Sequence, residues 1–161
     1  MIPEMLQDDL VDECKRLFAE DRFKVPKTPD NPEGNPIQIN VFPQSLPIAY
    51  SDEDDDPVPY IIVRIVNGID EGKSDSKHSV RVDVIIGMYD DESSAQGHRS
   101  VMHIINTLYK RFMTNPNLND KYVYDGPFEW GVQDDAYYPF YFGAVKMQFT
   151  IPAIRREVEF V

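Results

Sequence analysis

The sequence predicts an α+β fold: a mainly antiparallel mixed sheet flanked by two longer helices, in one domain spanning residues 1–161. Alternation comes first. "SVRVDVIIGMYD" sets Val80, Val82, Val84, Ile86 and Met88 on one side of a strand and Arg81 and Asp83 on the other. "GAVKMQFTIP" repeats the pattern, with Val145, Met147, Phe149 and Ile151 against Lys146, Gln148 and Thr150. The second observation is helical spacing, with apolar residues at steps of three and four along Leu6, Leu10, Cys14 and Leu17. His98, Val101, Ile105, Leu108 and Phe112 form a similar stripe. Third, the links between strands are short and polar, which suits antiparallel neighbours with helices packed on their apolar face.

In chain order, the first helix runs from Pro3 to about Glu20, with proline tolerated in its first turn. Cys14 lies on its apolar face and is read as a buried small hydrophobe. "VPKTPDNPEGNP" then places prolines at 26, 29, 32 and 36, so the loop 25–36 follows an extended path. "IQINVF" is a short strand. The proline-bounded loop 51–57 holds the acids Asp52, Glu53, Asp54, Asp55 and Asp56. "YIIVRIVNGID" is apolar on both sides and reads as a central strand. The polar stretch "NGIDEGKSDSKH" joins it to the next strand as a long hairpin loop. After the second helix come the short aromatic strands "KYVYD" and "FEWGV", the last long strand, and the charged tail "IRREVEFV".

Composition excludes several classes. A chain of 161 residues, 42% hydrophobic, is long and apolar enough to fold around a sizeable core. Its net charge of -12 repels nucleic acid and anionic lipid at long range. With Cys14 as the single cysteine, neither an internal disulfide nor a cysteine zinc site is available. The most apolar run, "YIIVRIV", is interrupted by Arg64 and is too short to cross a bilayer. The start "MIPEMLQDDL" has no signal-peptide pattern, so a soluble protein made in a reducing cytoplasm is expected.

The stretch most suggestive of chemistry is the one where Asp90, Asp91 and Glu92 precede His98 and His103. Ser93 to Gln96 match a capping box, which makes the acids a favourable neighbour of a helix N-terminus. Residues five apart point about 140° away from each other on a helix, so the two histidines cannot share a metal. The acidic run offers hard oxygen ligands but lacks the glycine and the spacing of an EF-hand loop. Asp70, Glu71 and Lys73 match the acid-and-lysine half of a metal-dependent nuclease core, but the partner Asp is missing nearby and the Gly and Ser neighbours favour a hairpin turn. Tyr137, Tyr138, Phe140, Tyr141 and Phe142 suit a core or subunit contact better than a base-stacking platform, because no basic groove accompanies them. No catalytic, cofactor or metal constellation emerges.

Taken in order, "YIIVRIVNG", "VRVDVIIGMYDD", "GHRSVMHIINTL" and "YPFYFGAVKMQFTIPAIRR" resemble the tail-terminator, or tail-completion, proteins of tailed phages and prophages. The likeness covers roughly Tyr60 to Arg156 together with a leading helix; the loops 25–36 and 51–57 have no counterpart. The resemblance implies a structural virion protein at the head-proximal end of the tail, assembled in the host cytoplasm. It implies a ring, a hexamer, that ends tail-tube polymerisation and offers a surface to the head–tail connector or neck. Its partners would be its own copies, the tail-tube protein and the neck protein, with no cofactor and no membrane. DNA would pass through without specific binding, and an acidic chain suits that passage, with Asp52 to Asp56 as candidates to face the lumen.

On this reading Arg81, Asp83, Lys146 and Gln148 on the polar sheet face, and the aromatic turn at Tyr138 and Phe140, make subunit contacts. Arg155 and Arg156 reach a neighbour's carboxylates. Two other readings are a metal-dependent nuclease and an acidic monomeric protein-interaction module.

Overall fold

The structure, a computed structural model, describes residues 2–47, 57–133 and 137–154. The described elements are α1 (Ile2–Leu17), β1 (Asn40–Pro43), β2 (Tyr60–Asp70), β3 (His78–Tyr89), α2 (His98–Thr114), β4 (Asn117–Leu118), β5 (Tyr122–Tyr124), β6 (Glu129–Val132) and β7 (Phe140–Ile151). The strands form one sheet in the order β1-β2-β3-β7-β5-β4, and β6 pairs with β7 beside that path.

The α+β class holds, with a mixed sheet: β1 runs parallel to β2, Asn40 opposite Tyr60 and Pro43 opposite Val63. The other pairs are antiparallel. One correction concerns the helices, which are of ordinary length, 16 and 17 residues, or about 25 Å each. Strands of 12 residues such as β3 and β7 extend about 40 Å and outrun them. As a result, β2 is buried from Tyr60 to Val63 and exposed from Val66 to Asp70.

Both helices pack on the face built by the alternating residues. Val63, Val84 and Val145 stand in register across β2, β3 and β7, essentially without exposure. Leu6, Leu10 and Cys14 of α1 and Val101, Ile105, Leu108 and Phe112 of α2 close over that face. Close approach is set by Gly143: a Cβ there would lie 2.5 Å from Val101 Cγ1. Phe112, Phe149 and Tyr124 complete the far end with edge-on ring contacts.

The expected capping box does not form. Helix α2 begins at His98 with Gly97 as its N-cap, and no side chain caps it. A turn intervenes first, closed by the Ala95 N–H donating to Glu92 O, with Ala95 at φ 54°. Gly97 must then fit beneath the Tyr141 ring, where a Cβ would come within 2.3 Å of Cε2. Asp90 faces Lys24 instead of the helix axis: Lys24 Nζ donates to Asp90 Oδ1 at 3.1 Å and to Glu92 Oε1 at 2.6 Å.

Candidate interaction surface

The sheet face turned away from the helices is divided in two. Its apolar half is a second cluster of Val58, Tyr60 and Ile62, with Phe42, Leu46, Ile85, Tyr89, Phe140 and Phe142 packed around them. The close fit arises because Tyr60 lies opposite Gly87, and its ring occupies the space a Cβ would take. Phe140 packs its ring 5.8 Å from that of Tyr89, so one of the two residues assigned to the aromatic turn serves this internal cluster. Tyr138 stays half-exposed, and its hydroxyl donates to the Asp91 carbonyl.

The other half carries charge. Arg64, Asp83, Lys146 and Glu129 follow one another in register across β2, β3, β7 and β6, so the row alternates in sign. In the next row Arg81 stands opposite Gln148. The structure therefore brings the four sequence-assigned residues Arg81, Asp83, Lys146 and Gln148 together. It adds Arg64 and Glu129, which sequence reasoning missed. Alternation along "YIIVRIV" was the available signal for Arg64, but a strand apolar on both sides masks it. Glu129 depends on the pairing of a four-residue strand, and no local pattern reports that.

Arg81 Nε and Asp83 Oδ1 are 3.6 Å apart, close enough to attract and too far to hydrogen-bond. Both atoms are buried and without a hydrogen bond among the described residues. A pocket of about 190 Å³ lies beside them, lined by Arg81, Glu129, Lys146 and Gln148. A broader groove of about 560 Å³ runs along β6 and β7 over Gly131, Phe142 and Ala144. Trp130 stands 56% exposed at its rim.

The remaining candidates fall elsewhere. Asp52 to Asp56, Arg155 and Arg156 lie outside the described residues. Asp70, Glu71 and Lys73 occupy the end of β2 and the turn after it, where Asp70 Oδ1 accepts the Gly72 N–H and the Lys73 N–H donates to Ser76 Oγ. His98 opens α2 and lines a pocket with Tyr138 and Tyr141, while His103 binds Asp21 at 2.9 Å. The two histidines thus serve different neighbours.

No family model matches this chain, and no curated protein matches it. No helix among the described residues is long and apolar enough to cross a membrane. What the surface offers chemically is a polar, sign-alternating patch beside a shallow apolar groove, an arrangement suited to macromolecular contact with many matched charges.

Proposed function

We propose that this chain is a structural virion protein that forms a ring on the end of a phage tail tube. The ring stops tube polymerisation and presents its outer surface to the neck of the head. The observation that carries this reading is the open face itself. One side of the sheet is sealed by both helices, while the other leaves Arg64, Asp83, Lys146 and Glu129 in an alternating row next to an exposed groove. Such a row gives register to a repeated contact, because a slip of one strand sets like charges against each other. Arg81 and Asp83, 3.6 Å apart on the same face, add an ion pair beside that row. The sequence resemblance supplies the tail; the acidic balance of -12 suits a passage that DNA traverses without sticking.

Purified protein mixed with tail tubes is expected to sit at one tube end in negative-stain images and to halt further growth. Charge reversal at Arg81 and Arg156 together is expected to weaken assembly and lengthen tails. Unchanged assembly and unchanged tail length in that double variant would remove both residues from the contact. Failure of the wild-type chain to bind tube ends would sink the capping role.

A further inference from the structure

Sheet edges invite pairing with another chain, and folded proteins commonly close them. Several edges here are closed by side chains. Beyond Pro43, Gln44 continues along β2: its N–H donates to Val63 O, its Oε1 accepts the Ile65 N–H and its Nε2 donates to Ile65 O. At β4, Asn117 receives Arg111 Nη2 on its carbonyl and gives its N–H to Asn115 Oδ1. On β1 the outer side includes Pro43, which has no N–H to offer.

Two edges have no such closure among the described residues. In β6 the Gln133 N–H donates to Phe142 O, so by antiparallel alternation Gly131 and Glu129 face β7 while Trp130 and Val132 direct their N–H and C=O outward. Carrying the same alternation across β7 and β3 turns Asn67 and Ile69 toward β3 and leaves Gly68 facing outward. That stretch of β2 lies past the bulge at Ile65/Asn67, beyond the partner strand β1.

The side chains at these two edges complement each other. Ile69 is 64% exposed and shares the face of Arg81 and Lys146. Gly131 lies on that same face, opposite Ala144, and a Cβ built on it meets no atom within 4 Å. One edge thus offers an apolar projection, and the other an open position floored by the groove over Ala144 and Phe142. Both edges also match in facing. Within one molecule β6 runs antiparallel to β2, so a second copy continuing the sheet presents its β2 antiparallel to β6 with helices on the same side.

We infer that copies of this chain join edge to edge, the Val66–Ile69 stretch of one copy adding to β6 of the next. Ile69 sits opposite Gly131, and Gly68 exchanges backbone hydrogen bonds with Val132. The contact uses different surfaces on the two partners, so it repeats head to tail and closes a ring when the rotation allows. This specifies the subunit contact of the ring proposed above and rests on that reading.

Trp130 is the only tryptophan and lies within this edge, so it reports the pairing directly. Light scattering and tryptophan emission are to be followed together over a range of protein concentrations. The wild-type chain is expected to grow in mass as its emission shifts to shorter wavelength. Gly131→Val fills space that is empty in the single subunit, and Ile69→Asp alters an exposed side chain, so both should retain the wild-type circular dichroism. Both are expected to remain monomeric with unshifted emission. Assembly of both variants like the wild type would overturn the edge contact and leave the capping role standing. A wild-type chain that stays monomeric throughout would also overturn it, and capping would then be decided by tube-end binding alone.

Discussion

Arg111 Nε donates to Glu13 Oε1 at 2.9 Å and so ties α2 to α1 above the sheet. The same guanidinium reaches the Asn115 and Asn117 carbonyls and lies 4.7 Å over the Phe112 ring, so one side chain joins both helices to the start of β4. Burial alone would raise the Glu13 carboxyl, but hydrogen bonds from Arg16 and Arg111 outweigh it and hold the group below its ordinary 4.5. A carboxylate whose value is lowered by folding stabilises the fold fully above the ordinary value and loses that contribution as pH falls through the lowered one. Stability is therefore expected to decline below about pH 4.5. Glu13→Gln should cost about 2 kcal/mol near neutral pH and flatten the acid limb, as read from urea midpoints across pH.

Gly143 sets the distance between α2 and the sheet. Its replacement by alanine drives a methyl group to 2.5 Å from Val101 Cγ1 and 3.0 Å from the Gly131 carbonyl. Overpacking of this kind costs about 1–3 kcal/mol. Gly143→Ala is expected to lower the denaturation midpoint accordingly. Val101→Ala in the same chain should recover part of the loss, because the cavity and the added methyl coincide. An unchanged midpoint in the single variant would show that α2 shifts freely.

Gln44 acts as a strand residue made from a side chain. Besides its bonds to Ile65, its Oε1 accepts from Gln7 Nε2 at 2.9 Å, which links the edge to α1. Gln44→Ala removes these partly exposed bonds, and about 1 kcal/mol of stability should go with them. The newly opened edge is expected to increase scattering on mild heating. Equal scattering in the two proteins would mean that Gln44 is dispensable as an edge closure.

Cys14 is fully buried between α1 and the sheet, and burial pushes its thiol up to about 12, with Glu13 adding to the effect. The reactive thiolate is then scarce at pH 8 and shielded from solvent. A colourimetric thiol reagent should label the native chain only at the rate of unfolding, and label it at once in denaturant. Rapid native labelling would contradict the packing of α1.

The sequence by itself determined what repeats locally. Alternation in "SVRVDVII" and "AVKMQFTI" declares two long strands and the face each gives to the core, since one strand residue in two must leave water. Steps of three and four declare α1 and α2, and place Cys14 in the core, for the same reason. It also grouped Arg81, Asp83, Lys146 and Gln148 on one polar face, because equal parity on two strands implies a shared side once the strands pair. The tertiary structure decided the partnerships. That β1 runs parallel to β2, that Arg64 and Glu129 extend the charged row, and that Gly97 displaces Ser93 as the cap of α2 all depend on residues distant in sequence. Which edges stay open depends likewise on Gln44 reaching Ile65 and Arg111 reaching Asn117. Such pairings are chosen by register and packing across the whole sheet, and a local pattern in the chain carries no record of the neighbour it will meet.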